Sequence, residues 1–179
     1  MSVVRLNLGC GPNPAAGWIN LDLRREQGVQ LCCDLRRGLA LATECADYAV
    51  GMHVLQDLPW PEIPPAVSEM YRVLKPRGVL RLGLPDLDRA IDAYRRKDAG
   101  YFYVSDAHML SLGGKLVTQI VWYGSVRTPF TFDFARELLI KAGFASVVSC
   151  AFQRTESAHP QIVELDNRPR ETLFVEATK

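Results

Sequence analysis

Three stretches of the sequence carry residue types that could hold a ligand or move a proton. Residues 6–23, LNLGCGPNPAAGWINLDL, place Gly9 and Gly11 in a turn between two apolar runs and close on Asp22. Glycines there let the main chain approach a ligand closely and present unblocked N–H groups, which suits a carboxylate or a sugar edge. Asp22, at the end of the second run, can accept hydrogen bonds from two neighbouring hydroxyls. CCDL at 32–35 offers the Asp34 carboxylate beside the Leu35 N–H, and MHVLQDLPW at 52–60 offers His53, a side chain that can exchange a proton near neutral pH. Each has a plain structural alternative: a tight turn without ligand, a solvated strand-end carboxylate, a turn aspartate and a packed histidine.

Spacing narrows the ligand. The dinucleotide fingerprint, GxGxxG or GxGxxA, opens a long helix and meets its acidic residue ~20 positions further on. From Gly9 this chain reads GCGPNP, and Asp22 follows Gly9 by only 13 residues. Pro12, Pro14 and Gly17 leave no room for the crossover helix. The lysine followed by Ser or Thr of a phosphate-binding loop is missing as well. The cysteines, Cys10, Cys32, Cys33, Cys45 and Cys150, are odd in number and lack a CxxC pair. They read as reduced, small apolar residues rather than a disulfide framework or a zinc site.

Short apolar runs alternate with helical periods along the chain. Strands are expected at 3–8, 18–23, 30–33, 47–52 and 78–85. A helix over 64–74 would turn Val67, Met70, Tyr71 and Leu74 inward, and Pro76 and Gly78 end it. A second helix at 86–97, capped by Asp86, would bury Leu87, Ile91 and Tyr94. A third at 128–144 would bury Phe134, Leu138 and Leu139 and stop at Gly143. Two strands, 145–152 and 171–178, follow one another without a helix, so they should pair antiparallel and close the sheet. Strands alternating with helices imply a mainly parallel sheet with ligands at the carboxy ends of its strands.

Composition sets wider bounds. A chain of 179 residues with 48% hydrophobic and 23% charged residues suits one folded domain rather than a disordered segment. A net charge of +1 supplies no basic surface for nucleic acid. MSVVRLNL runs straight into the first strand without a leader pattern, and no apolar run approaches the ~20 residues that span a bilayer. The expectation is a cytoplasmic protein without nucleic-acid or membrane partners.

In the order and spacing of these pieces the chain resembles the class I S-adenosylmethionine-dependent methyltransferases, more narrowly the small bacterial members of the methyltransferase type 11 kind. The resemblance is carried by LNLGCG at 6–11, GWINLDL at 17–23, CDL at 33–35, ADYAVGMHVLQDLP at 46–59 and EMYRVLKPRGVLRLGLPDL at 69–87. FARELLIKAGF at 134–144 extends it more loosely. It implies a Rossmann-like α/β three-layer sandwich, with a mostly parallel seven-stranded sheet and an antiparallel strand near the carboxy-terminal edge. It implies S-adenosylmethionine as cofactor, held by Leu8, Gly9, Cys10, Gly11, Asn13, Asp22, Leu23, Asp34, Leu35, Met52 and His53. In this picture Asp22 takes the ribose hydroxyls, while Asp34 and Leu35 read the adenine. Relatives often follow the first histidine of the fourth-strand loop with Glu-His three and four residues on. Gln56 and Asp57 stand there instead, which leaves His53 as the candidate catalytic residue.

Residues 98–128 are aromatic, glycine-bearing and weakly periodic, and are expected to form an insertion over the site, with one short helix near 115–124. Leu116, Val117, Ile120 and Val121 have the spacing of a core face. Polar residues in this segment are candidates for substrate binding: His108, Tyr123 and Arg127, with Asp106 nearby and Trp122 as an aromatic wall. Arg127 could pair with an anionic group. No metal is expected, because the spacing of Asp57, Asp86 and Asp88 does not demand one. The implied activity is methyl transfer to a small molecule, at a hydroxyl oxygen in preference to nitrogen or carbon. A non-catalytic binding module and a nucleic-acid or protein methyltransferase are the alternatives. The subunit state is undetermined, since the aromatic residues between Tyr101 and Tyr123 could form a lid or an interface.

Overall fold

The computed structural model describes residues 3–179, so the first two residues of the MSVVRLNL lead-in lie outside the described residues. Seven strands form one sheet: β1 (Arg5–Leu8), β2 (Ile19–Asp22), β3 (Leu31–Cys32), β4 (Ala46–Met52), β5 (Leu74–Pro85), β6 (Ser146–Cys150) and β7 (Thr172–Thr178). Their order across the sheet is β3-β2-β1-β4-β5-β7-β6. The first five pair in parallel, and β7 runs antiparallel between β5 and β6. Four helices accompany them: α1 (Ile63–Val73), α2 (Leu87–Arg95), α3 (Leu112–Val121) and α4 (Phe132–Lys141).

Strand alternation sorts the side chains onto two faces. Leu6 and Leu8 of β1, Leu80, Leu82 and Leu84 of β5, and Leu173 and Val175 of β7 form a core with Met70 of α1 and Leu139 of α4. The opposite face carries Tyr48 and Val50 of β4 and Val79 of β5, packed with Trp18 and Ile162. Parallel neighbours are usually joined by a helix laid on the sheet. Here β1 passes to β2, and β2 to β3, through irregular loops. On this face the third layer is the β6–β7 connection, which contributes Ile162, Val163 and Leu165. Trp18 meets Tyr48 edge-on, with ring centroids 5.4 Å apart.

The same connection brings an ion cluster under the sheet. The guanidinium of Arg81 in β5 donates from Nε and Nη2 to the Asp166 carboxylate at 2.7 and 2.6 Å. From Nη1 it donates to Glu176 Oε1 at 2.6 Å and to the Arg154 carbonyl at 3.1 Å. Nη2 also reaches the Ala151 carbonyl at 3.3 Å, so all five donors are used. The side chains of Arg81 and Asp166 are fully buried.

The helices differ from expectation in two places. In α2 the buried residues are Ala90 and Ala93, whereas Tyr94 is 43% exposed. The reason is the partner: α2 packs against Tyr101, Phe102 and α3 rather than on the sheet, and small residues permit that approach. In α3 half of the expected core face turns outward: Leu116 packs against the α2 cluster, but Val121 is exposed. Lys115 and Gln119 are buried, and Val117 is 62% exposed. Lys115 Nζ donates to the Val104 carbonyl at 2.8 Å and to Asp106, while Gln119 Oε1 accepts from the Tyr103 N–H at 2.7 Å. Those bonds satisfy the irregular backbone of 103–106, which offers no regular partner of its own.

Candidate functional site

The carboxy ends of β1 to β5 open into two adjoining cavities. The larger, about 410 Å³, is lined by Gly9, Gly11, Asp22, Leu23, Asp34 and Leu35 from the first three strand ends. His53, Val54, Asp57, Leu58, Pro59, Glu62 and Arg127 complete it, with Arg24, Cys33 and Arg36 at its rim. The smaller, about 210 Å³, is lined by His53, Gln56, Asp57, Pro85, Gln119, Trp122, Ser125, Val126, Arg168 and Glu171. His53 and Asp57 are common to both.

Local sequence explains the shape of the first cavity. Gly9 and Gly11 adopt left-handed φ values of +65° and +56°. A Cβ on Gly9 would lie 2.5 Å from Val54 Cγ2, whereas one on Gly11 would meet nothing within 4 Å and project into free space. The Asp22 carboxylate is fixed by two backbone donors, Gly11 N–H to Oδ2 at 2.8 Å and Arg24 N–H to Oδ1 at 3.0 Å. A carboxylate has about four acceptor positions, so roughly two remain for hydroxyls in the cavity. Glu62 Oε2 is buried there without a hydrogen-bond partner. Cys33 contributes a thiol that burial pushes up to about 11, so it stays protonated at neutral pH.

Asp34 is more engaged than its sequence context suggests. Its carboxylate caps a short 3-10 turn through the Arg36 N–H at 3.0 Å and receives the Arg36 guanidinium through Nε and Nη2, both at 2.8 Å. The Arg36 hydrogen bond holds this carboxyl below the usual carboxylate range. Four other residues expected at the cofactor site do not line the cavity. Leu8 is fully buried in the main core, and Met52 packs toward the opposite face of the sheet. Cys10 donates its thiol to the Gly11 carbonyl within the turn, and Asn13 lies in the loop beyond.

His53 follows β4 directly, with φ +54°. Its N–H donates to the Gly83 carbonyl at 2.8 Å, which turns the ring between the two cavities. Nε2 lies 2.9 Å from Thr172 Oγ1, whose own proton goes to the Arg168 carbonyl at 2.8 Å. The hydroxyl oxygen must therefore accept, so the ring proton sits on Nε2 and Nδ1 keeps its lone pair. Burial, and secondarily the charge of Arg168, push the His53 pKa down to about 4. In the unfolded chain the group titrates near its ordinary 6.5. Between these values the unfolded chain binds a proton that the folded chain refuses, so stability falls as pH drops from 6.5 towards 4. The expected loss from this residue is roughly 3 kcal/mol. Denaturant midpoints at pH 7 and pH 4.5 should show it, and His53→Asn should flatten the difference.

Of the residues expected to contact substrate, Arg127 reaches the larger cavity and Trp122, the expected aromatic wall, the smaller one. The Arg127 N–H donates to the Gln56 carbonyl at 2.8 Å. His108 Nδ1 and Tyr123 Oη lie 2.8 Å apart, but the pair is exposed and outside both cavities. Gln56, Arg168 and Glu171 are among the wall residues that sequence reasoning passed over. Gln56 was legible from its place in the His53 loop, whereas Arg168 and Glu171 sit in a polar connector with no local signal. Burial pushes the Asp57 and Glu171 carboxyls up, against the opposing pull of nearby arginines. Among the described residues no three His, Cys, Asp or Glu side chains converge as a metal site, and no helix is long and apolar enough to cross a membrane.

Residues 10–82 match the family model for a methyltransferase domain. No curated protein matches the chain in sequence. Several solved structures share its fold. An S-adenosylmethionine-dependent methyltransferase from Thermotoga maritima is 19% identical with a TM-score of 0.58, over 100% of this chain and 83% of that one. Another from Mesorhizobium loti is 18% identical with a TM-score of 0.57, over 99% and 91%. The Burkholderia thailandensis 1,6-didemethyltoxoflavin-N1-methyltransferase, solved with its substrate and S-adenosylhomocysteine, is 15% identical with a TM-score of 0.58, over 98% and 70%. The matched segment is similar to a methyltransferase domain, and the chain as a whole shares the fold of the S-adenosylmethionine-dependent methyltransferases named above.

Proposed function

We propose that the protein methylates a hydroxyl oxygen of a small molecule, with the cofactor in the larger cavity and the acceptor in the smaller one. The observation that carries this reading is that His53 and Asp57 face both cavities, so a group passed from one to the other must pass these side chains. The larger cavity suits S-adenosylmethionine in charge as well as shape. Four carboxylates, Asp22, Asp34, Asp57 and Glu62, line it against three arginines. That excess favours a cationic ligand over a dinucleotide with its two phosphates.

In this reading Gly9 and Gly11 leave room for the cofactor to lie against the main chain, and Asp22 receives its ribose hydroxyls. Asp34 and Leu35 border the adenine, and Arg36, released from Asp34, can stack on it. The bound cofactor supplies a methyl carbon made electrophilic by its sulfonium. The chain's own residues align the acceptor and exclude water. His53 is neutral at physiological pH, and its Nδ1 is the acceptor for the proton that the hydroxyl loses as its new bond forms. Residues 98–128 act as a cover, because Gln119, Trp122, Ser125 and Val126 supply one wall of the acceptor cavity. One domain suffices for this chemistry. The free thiols of Cys10, Cys32, Cys33, Cys45 and Cys150 fit the reducing cytoplasm.

Calorimetric titration with S-adenosylmethionine and S-adenosylhomocysteine tests the cofactor site, and absence of binding at millimolar ligand would overturn the proposal. A labelled-methyl screen of metabolites then identifies the acceptor. With that acceptor, His53→Asn is expected to lower kcat by about 10²-fold or more while cofactor affinity stays within about twofold.

A further inference from the structure

The turn that leads into β7 holds the proton of His53 in place. Nε2 of the ring lies 2.9 Å from Thr172 Oγ1, and that hydroxyl also faces two carbonyls, Arg168 at 2.8 Å and Asn167 at 3.3 Å. Neither carbonyl can donate, so the single hydroxyl proton lies between Oγ1 and one of them. A lone pair is what Oγ1 turns to the ring.

Three local features build this arrangement. Arg168 adopts a left-handed φ of +51°, and its carbonyl accepts the Glu171 N–H at 3.2 Å as well as the Thr172 hydroxyl. The Glu171 carbonyl accepts the N–H of Asp86, the residue that caps α2, at 2.9 Å, which ties the turn to the sheet edge of the site. Gly83 leaves room beside Thr172, where a Cβ would sit 3.2 Å from Thr172 Cγ2. The methyl group takes that gap and the hydroxyl is left to face His53. Thr172 is fully buried, so bulk water does not compete for its bonds.

Taking the proposed function as its basis, we infer that Thr172 is a positioning residue: its hydroxyl, oriented by the Asn167–Arg168 turn, keeps the His53 proton on Nε2 and leaves Nδ1 as the only basic nitrogen of the ring. The acceptor's proton passes to Nδ1 as the oxygen–methyl bond forms and the sulfur–methyl bond breaks. A ring already protonated at Nδ1 cannot take it. The β6–β7 connection thus reaches the chemistry through a hydrogen bond, in addition to the charge that Arg168 brings to the cavity wall.

Long-range proton–nitrogen NMR correlation on the isotope-labelled full chain at neutral pH reads the tautomer, since a protonated ring nitrogen and one with a lone pair resonate far apart. The chain has three histidines, and His53→Asn identifies the signal by its loss. Wild type is expected to carry the proton on Nε2. Thr172→Val, close in volume but without the hydroxyl, should shift the ratio of tautomers toward the Nδ1–H form by about tenfold or more, and Thr172→Ser should keep the wild-type ratio. Arg168→Gly suits the left-handed turn, removes the charge and should leave the proton on Nε2. A wild-type proton on Nδ1, an unchanged ratio in Thr172→Val, or an equal shift in Arg168→Gly overturns the inference. If Thr172→Val does not fold, Thr172→Ala is read in its place. With the acceptor from the labelled-methyl screen, Thr172→Val should lower kcat about tenfold while KM for S-adenosylmethionine stays within about twofold. A shifted tautomer with unchanged kcat overturns instead His53 as the base, and with it the function on which the inference rests.

Discussion

Arg81→Met is expected to destabilise the folded chain by about 3–5 kcal/mol, the cost of leaving buried charge without its partner. The Asp166 carboxylate loses two guanidinium hydrogen bonds, and Glu176 loses one, in a region where both acids are almost completely buried. The carbonyls of Ala151 and Arg154 lose their donors too. Denaturant unfolding at neutral pH measures the effect. A loss below about 1 kcal/mol would show that water reaches the cluster and that it behaves as a surface pair. The triple variant with Arg81, Asp166 and Glu176 all replaced by apolar residues of similar size should recover much of the loss, since no charge is then stranded.

Asp22→Ala is expected to lower affinity for S-adenosylmethionine and S-adenosylhomocysteine by about 10²- to 10³-fold. Two hydrogen bonds from ribose hydroxyls to a carboxylate contribute about 1.5–3 kcal/mol each, and about 1.4 kcal/mol is a tenfold change in affinity. The substitution also removes the acceptor for the Gly11 and Arg24 N–H groups, which loosens the turn that shapes the cavity. Asp22→Asn separates the two effects. It keeps one acceptor oxygen and should lose less, about tenfold. Calorimetry of both variants checks the order, and equal affinity in wild type and Asp22→Ala would remove Asp22 from the site.

Much of the sheet was legible because alternation and punctuation coincide. Asp22 could be placed at a strand end, and the prolines of 12–17 correctly left the β1–β2 loop without a helix. Gly143, with φ +109°, ends α4 where the pattern stops. The illegible parts depend on distant partners. Arg81 reads as a polar interruption of an apolar strand, and nothing local announces Asp166 and Glu176, 85 and 95 residues away. Lys115 and Gln119 misled for a related reason: hydrophobic periodicity assumes that a helix buries apolar groups, and α3 instead buries the two that satisfy a loop. Arg168 and Glu171 reach the site only because β7 runs antiparallel and returns its leading loop to the carboxy ends of the parallel strands.

The cover formed by the β6–β7 connection has a consequence for synthesis on the ribosome. Strands β1 to β5 and helix α1 emerge within the first 85 residues and can begin to pair, but Trp18, Tyr48 and Val50 gain Ile162 only after nearly twice that length has been made. Arg81 waits as long for Asp166, and the β5 edge waits for β7. At translation rates of about 5–20 residues per second, the nascent chain spends several seconds with an apolar face, an unpaired cation and an open strand edge. Occupancy by a trigger-type chaperone or stalling-induced aggregation should therefore peak while residues 86–160 are being added, and fall once β7 has left the exit tunnel.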